Sequence, residues 1–440
     1  PEADVRWRVL RCAELAPDSN LAGLVAPFAR ADEPQVRVHA YRALAKLEYP
    51  SSLAAVVEGF ASHDRFRGRD GARVRIAGCR ALGSLGKLAL AENAAADPAR
   101  ISALLITEAG SDNPHVAETA LAAMARFVAE TPLPAEAAAQ ESLLPVWRIR
   151  LARSARSHLD RPHPGVRAAA LRAYGAVRGE GSADELIAAL ETEKEPRPLA
   201  AGLRTISRHH PDPAALLVHY AEIDFPTDFG ESARPVLHNA MVREAAYEGL
   251  AHLLKERPDL VPDSSSGARL ESHLYAGLDD EDYVVATSAA YLVGDFPCCG
   301  SLGALIRLWN RASGPERFEL RRGALAGVKT MLDSAKEPWQ GPDSLKTQAA
   351  DLLRQAFDST DVRIRIEGRE TALATGLLPE HLIPSKESLR ATLPAVVRNP
   401  AQPPVAVPFD APRVRCITSR GDFIIELDGQ VAPNTCAVFL

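Results

Sequence analysis

Apolar side chains recur along this chain at steps of four, eight and eleven residues. From Val36 the steps reach Ala40, Leu44 and Leu47, and from Val5 they reach Val9, Ala13 and Ala16. The same steps give Val74, Gly78, Leu82, Leu85, then Val116, Ala120, Met124, Phe127, then Val166, Ala170, Tyr174, Val177. Val242, Ala246, Leu250, Leu253 follow, with Val285, Ala289, Val293, Phe296 and Leu320, Ala324, Val328, Met331. Val362, Ile366 and Leu373 continue the series with a polar Glu370 at the third step, and a weaker unit starts near Leu199 and Leu203. These steps place one apolar stripe on one face of an α-helix. Ten helices share the register at separations of roughly 31 to 50 residues, a period that signals a solenoid.

A second apolar helix is predicted between successive striped ones, at Leu21 to Ala31, Ser52 to Ser62, Ala99 to Ala109, Ala183 to Leu190 and Leu302 to Arg311. An acidic turn recurs before the striped helix, as Asp32 with Val36-Arg37, Asp70 with Val74-Arg75 and Asp358 with Val362-Arg363. The Asp is placed to cap the first N–H groups of the coming helix, where its charge suits the positive end of the dipole. The Arg is placed to pair with an acidic group of its own or the next turn. This Asp-x-x-x-Val-Arg-x-x-Ala pattern resembles the HEAT repeat, of the readily recognised bacterial sort. The resemblance implies an all-α solenoid of about ten helical hairpins, with Asp32, Arg37, Asp70, Arg75, Asp358 and Arg363 as structural ladders.

Pro-, Ser- or acid-rich stretches interrupt the array at Thr131 to Pro145, Asp224 to Pro235, Arg257 to Gly267 and Ser334 to Pro342, and read as surface loops. A further helical segment, about Ser385 to Val397, is expected to close the stack. Asn399 to Pro412 then reads as an extended Pro-rich linker. The domains expected are therefore a solenoid over 1–397, a linker over 398–412 and a separate piece over 413–440.

Composition agrees with helices in close contact: 46% of residues are hydrophobic but only 5% aromatic, so small side chains dominate. The formal net charge of −6 gives no basic footprint for DNA or RNA. No apolar run approaches the roughly 18 residues of a membrane span. Six cysteines, at 12, 79, 298, 299, 416 and 436, show no CxxC spacing and read as small packing residues. His209 and His210 are adjacent and point about 100° apart on a helix, so they read as a polar helix end and not as metal ligands. Some HEAT-like enzymes bind iron through His-Glu dipeptides, and none of the 12 histidines here is followed by Glu. No Gly-rich phosphate loop or nucleophile elbow is present. No metal site and no cofactor site is expected.

The last stretch, Arg415 to Leu440, departs from all of this. Cys416 to Thr418 and Phe423 to Leu427 are β-type runs, and Ser419-Arg420-Gly421-Asp422 between them suits a tight hairpin, which also accounts for the Arg-Gly-Asp tripeptide. Ala432-Pro433-Asn434-Thr435 reads as a helix start. Thr418, Gly421-Asp422, Ile425-Glu426-Leu427, Ala432-Pro433, Thr435 and Phe439-Leu440 resemble the opening of the cyclophilin-type peptidyl-prolyl isomerases, with Val438 where that family usually has Asn. An edge hairpin closing the repeat array is the alternative reading of the same residues. The family's catalytic Arg and apolar pocket lie beyond the first helix of the domain. The resemblance therefore places them after Leu440, and no catalytic residue is nominated within the chain.

Together these readings imply a HEAT-repeat isomerase acting on X-Pro bonds of protein clients, its repeats serving as a protein-binding surface. A non-enzymatic interaction scaffold is the alternative. The partner expected is a protein on the solenoid surface, with no nucleic acid and no membrane span, and a monomeric chain. The start at Pro1 inside a helical pattern suggests that both ends are cut and that any signal peptide would be missing; the sequence assigns no compartment.

Overall fold

The computed structural model describes residues 3–62, 66–92, 97–129, 141–222, 235–256, 271–295, 299–312, 317–333, 341–391, 413–418 and 421–426 of the 440. Contacts divide the chain into two units, Pro1–Glu380 and His381–Leu440. The main helices of the first are α1 (Ala3–Leu15), α2 (Pro34–Leu47), α3 (Leu53–Phe60), α4 (Gly68–Ala91), α5 (Pro98–Ala109) and α6 (Pro114–Val128). There follow α7 (Val146–Arg156), α8 (Pro164–Arg178), α9 (Ala183–Thr192), α10 (Pro196–His209), α11 (Ala214–Glu222) and α12 (Pro235–Glu256). The unit continues with α13 (Tyr283–Gly294), α14 (Cys299–Arg311), α15 (Phe318–Leu332), α16 (Asp343–Phe357) and α17 (Val362–Thr375).

Ten of these, α1, α2, α4, α6, α8, α10, α12, α13, α15 and α17, form a ladder in which each helix packs on the next. The others build a second layer, each beside a ladder helix; before α2 that place is taken by the short helical turns of Ser19–Arg30. This is the two-layer stack of a helical repeat protein, in which each unit buries its apolar face on its neighbours.

The stripes explain the ladder. Their first, second, third and fourth residues are buried in α2, α4, α6, α8, α12 and α15. In α13, Val285, Ala289 and Val293 are buried, while Phe296 lies outside the described residues. The second position is small throughout these helices, because the second layer approaches there: a Cβ on Gly78 would lie 2.1 Å from the Phe60 ring. Ladder neighbours meet through another small pair, nine residues after the first stripe residue on one helix and seven on the next. Gly83 meets Ala123, Gly175 meets Thr205, Ser207 meets Gly249 and Gly294 meets Gly327 in this way. Residues without bulk let the helix axes come close, which is why the composition is poor in aromatics.

Three stripes depart in part from the register that the sequence suggests. In α17 the buried set is Ile364, Gly368, Ala372 and Thr375, the same steps begun two residues later, and Leu373 is 46% exposed. In α10 the expected Leu199 and Leu203 are buried, and so is a set begun one residue earlier at Pro198, with Gly202 against Leu190 of the second layer and Ile206. In α1 the expected Ala13 is buried together with Leu10, while Val5 and Val9 are 50% and 62% exposed. Among the described residues α1 has a ladder neighbour on one side only, so one face suffices to hold it.

The helix starts correct the expected caps. Pro34, Pro114, Pro164 and Pro196 open four ladder helices at the first turn, where the missing N–H costs nothing. Asn113, Asp282 and Asp361 accept backbone N–H bonds as N-caps. The N-cap of α2 falls on Glu33 and not Asp32, Asp70 sits within the first turn of α4, and Asp358 is the C-cap of α16.

The second unit contains α18 (Lys386–Ala391), the described part of the expected Ser385 to Val397 helix, and an antiparallel hairpin. Strand β1 (Arg413–Thr418) pairs with β2 (Gly421–Glu426) from Arg413↔Glu426 to Thr418↔Gly421. Gly421 and Asp422 therefore belong to the strand and not the turn, because a two-residue connection is enough for a hairpin. Ser419, Arg420, Leu427, the helix start at 432–435, the linker and most of the four interrupting loops lie outside the described residues.

Candidate functional site

Arginines occupy two positions on the ladder helices, and the structure separates their roles. The first position directly follows the first stripe residue: Arg37, Arg75, Arg167, Arg243, Arg321 and Arg365. Arg37 donates from Nε to the Ala31 carbonyl at 2.9 Å and from a terminal nitrogen to the Gly59 carbonyl at 3.0 Å. Arg167 and Arg365 reach the equivalent carbonyls of their own turns, Arg161 at 2.8 Å and Ser359 at 2.6 Å. Four of them also bind the next repeat, Arg37 through Gly59 and Ser62. Arg75 meets Ser111 and Glu108, Arg167 holds Glu193 at 2.6 and 2.9 Å, and Arg243 holds Asp280 at 2.7 and 2.9 Å. The Glu193 hydrogen bond raises the Arg167 pKa, and the Asp280 hydrogen bond does the same for Arg243.

This row is a structural clamp from repeat to repeat, as the resemblance implies for Arg37 and Arg75. Arg363 is not part of it. Its guanidinium is exposed, pairs with Asp361 at 2.8 Å and lies over the Phe318 ring, while Arg365 takes the clamp position. Arg37 also donates to the Ser62 hydroxyl at 3.3 Å.

The second position lies five residues further on, about 140° around the helix, and faces outward. It holds Arg42 in α2, Arg80 in α4, Arg172 in α8 and Arg204 in α10, all but the half-buried Arg204 exposed. In α6 that position is Ala122, and Arg126 one turn later reaches the Ser84 hydroxyl of α4 at 3.1 Å. Arg42, Arg80 and Arg172 have no hydrogen bond or ion pair among the described residues. Although the Arg172 side chain is exposed, partial desolvation of its guanidinium by neighbouring atoms lowers its pKa, the charge of Arg197 lowers it further, Glu118 opposes this and Arg204 adds to it. Glu118 is itself bound by Arg197, and Arg204 by Glu248 with Glu244 at 3.9 Å. A shallow groove of about 360 Å³ is lined by Arg80, Glu118, Thr119, Ala122, Ala123 and Arg126. Beyond α10 the same position reads Glu248, Tyr291, Ala326 and Glu370, so the basic stretch ends there. The acidic excess of the whole chain also lies downstream of His210.

Sequence reasoning missed this row because it weighed net charge over the whole chain. The local signal is an Arg two residues before the third stripe residue, as in Arg42-Ala43-Leu44 and Arg80-Ala81-Leu82.

Elsewhere the structure places little chemistry. No group of three or more His, Cys, Asp or Glu suited to a metal ion occurs among the described residues. His209 ends α10 and His210 is its C-cap, with Nδ1 accepting from the Asp212 N–H at 2.9 Å. Cys79 is buried and its thiol pKa is raised well above the ordinary value by that burial and by Glu108, while Cys12 is exposed and so is not a packing residue. The other four cysteine side chains lie outside the described residues. Arg148 caps the end of α8 through the Val177 carbonyl at 2.9 Å, and burial lowers its pKa to about 10, so it stays charged at neutral pH. A groove of about 830 Å³ between α5 and α7 is lined by second-layer side chains, and one of about 500 Å³ beside Tyr49 and Arg100 by α3, α5 and the end of α4. No described helix is long and apolar enough to cross a membrane.

No family model and no curated protein sequence matches the chain. Among solved structures it is similar to an engineered protein at 14% identity and a TM-score of 0.34, over 85% of this chain and 94% of that one. A full-length AP-3 complex, built as a homology model in an intermediate open conformation, matches at 12% identity and a TM-score of 0.38, over 90% and 74%. Kap95p, from a structure in which its binding induces the switch loops of RanGDP to adopt the GTP-bound conformation, matches at 12% and 0.46, over 85% and 48%.

Proposed function

We propose that the repeat unit is a protein-binding scaffold that receives its partner on the exposed face of the helix ladder. The observation that supports this is the outward row of Arg42, Arg80 and Arg172, charged side chains that make no hydrogen bond or ion pair among the described residues. The clamp arginines of the same helices are, by contrast, engaged by their own turn and by the next repeat. The partner is a protein and not a nucleic acid, and the chain acts as a monomer. The immobilised 440-residue chain is expected to retain a discrete protein that binds back when purified. Retention no greater than on heat-denatured chain would sink the reading.

The C-terminal hairpin supports a second reading, compatible with the first. Its register, Thr418↔Gly421 outward to Arg413↔Glu426, provides the paired strands that a cyclophilin-like opening requires. On this reading 1–397 is the scaffold, 398–412 the linker and 413–440 the beginning of an isomerase domain that acts on X-Pro bonds of clients held by the repeats. That reaction crosses roughly 18–20 kcal/mol and takes tens to hundreds of seconds unaided, so a catalyst has work to do. The residues that match the family carry none of its catalytic groups. A protease-coupled assay of the 440-residue chain on an X-Pro peptide is therefore expected to match buffer. Acceleration that survives repurification would place an active site elsewhere and break the resemblance.

A further inference from the structure

We infer that the partner segment bound by the ladder is an extended, acidic stretch of polypeptide lying across α2, α4, α6, α8 and α10. This rests on the scaffold reading and specifies its chemistry. Arg42, Arg80, Arg126, Arg172 and Arg204 come from five ladder helices in succession, each packed on the next. Interaxial distances of about 8–10 Å between packed helices put neighbouring guanidinium groups about that far apart. A polyproline II chain rises about 3.1 Å per residue with three residues per turn, so carboxylates at every third residue share one face and can meet one arginine per helix. Five such contacts span about 40 Å, or about twelve residues of partner.

The charges along the row favour an anion. Three of the five arginines have no partner among the described residues, and Arg126 has a neutral hydroxyl. Arg172 lies close enough to Arg197 and Arg204 for both to disfavour its charged form, so a carboxylate placed there relieves repulsion already present. Guanidinium groups bind carboxylates through two parallel hydrogen bonds, which gives geometry as well as attraction. Glu118, Glu244 and Glu248 interrupt the field at α6 and beyond α10. An evenly spaced, uniformly charged phosphate backbone meets these carboxylates, whereas a peptide can leave them opposite neutral residues. Ala122 and Ala123, which line the groove with Arg80 and Arg126, are small and let an extended main chain lie close to the helices.

The test uses the 440-residue chain and a fluorescent peptide of five Glu-Ser-Thr repeats, with a Lys-Ser-Thr peptide and single-stranded oligo(dT) of equal length as controls. The charge-reversal variant is Arg42→Glu, Arg80→Glu and Arg172→Glu, three side chains that bond to nothing else described, so its circular dichroism and melting midpoint should match the parent. The Glu peptide is expected to bind, with affinity falling at least about tenfold in the variant and on raising salt from about 0.05 to about 0.3 M. The Lys peptide is expected not to bind. Equal affinity of parent and variant for the Glu peptide, or no binding by either, overturns the inference. Tighter binding of oligo(dT) than of the Glu peptide overturns it in favour of nucleic acid. If a captured protein partner binds parent and variant alike, the scaffold reading stands and only the acidic segment is lost.

Discussion

Replacing Gly327 with leucine is expected to open the ladder between α13 and α15. A Cβ at Gly327 would lie 2.6 Å from the Ala290 carbonyl oxygen and 2.9 Å from the Leu305 side chain. On the facing helix a Cβ at Gly294 would lie 2.6 Å from the Gly327 Cα. These obstacles are largely backbone, so no rotamer change makes room and the two helices must separate. Overpacking a core ordinarily costs about 1–3 kcal/mol; a clash against backbone on a helix crossing belongs at or above the upper end. Because repeats are held mainly by nearest neighbours, the damage should be local. Limited proteolysis should cut near 296–316 in the variant and not in the parent, while exchange protection in α6 and α8 stays unchanged. Gly303→Ala is the control: Gly303 lies in α14 with only the tip of Arg307 within 4 Å, and the change should be neutral or stabilise by about 0.5–1 kcal/mol. Unchanged cleavage in Gly327→Leu would mean that the helices do not cross as closely as described.

Arg37→Ala should be nearly as damaging at the other end of the array. The Arg37 side chain is fully buried and bridges three pieces of chain: the Ala31 carbonyl, the Gly59 carbonyl with Ser62, and the Phe66 ring 4.8 Å away. Removing it strips a donor from the Ala31 carbonyl and leaves a cavity between repeats, whereas the Gly59 carbonyl keeps the Ser62 hydroxyl and N–H. At about 1–3 kcal/mol for a buried group left unsatisfied, with the cavity in addition, the expected loss is about 2–4 kcal/mol. Arg42→Ala, five residues away on the exposed face, should change stability by less than about 0.5 kcal/mol. Chemical denaturation of both variants separates the two arginine rows. Equal losses would show that the outward row is structural too, and that its side chains are not reserved for a partner.

The repeats were legible in the sequence because burial at steps of four, eight and eleven is dictated by helix geometry and recurs. Six of the ten stripes are buried at all four expected positions. Where the register slipped, in α17, two overlapping apolar series compete, Val362-Ile366 and Ile364 with Gly368, Ala372 and Thr375. The choice is made by tertiary packing: a Cβ at Gly368 would lie 2.6 Å from the Ala356 side chain of α16. The exposure of Val5 and Val9 was illegible for a related reason: periodicity marks a face as apolar but not whether a neighbour covers it. The clamp arginines were half legible. Their recurrence after Val is a sequence fact, but their carbonyl acceptors are set by how the preceding turn folds. The outward row was present in the letters and obscured by the net charge of −6, since charge summed over a solenoid says little about one of its faces.

Binding of a protein partner by the exposed ladder face is the central claim, and site-specific photo-cross-linking tests it most directly. A benzophenone side chain placed at Ala122 sits in the middle of the outward row, at an exposed position that already lacks bulk. Leu24 and Val146, 70% and 66% exposed beside the second layer, provide probes away from the ladder face. With the purified partner and equal illumination, the Ala122 probe is expected to give a single covalent adduct, and the Leu24 and Val146 probes little or none. Adducts from Leu24 or Val146 in equal or greater yield than from Ala122 would contradict the assignment of the ladder face as the binding surface.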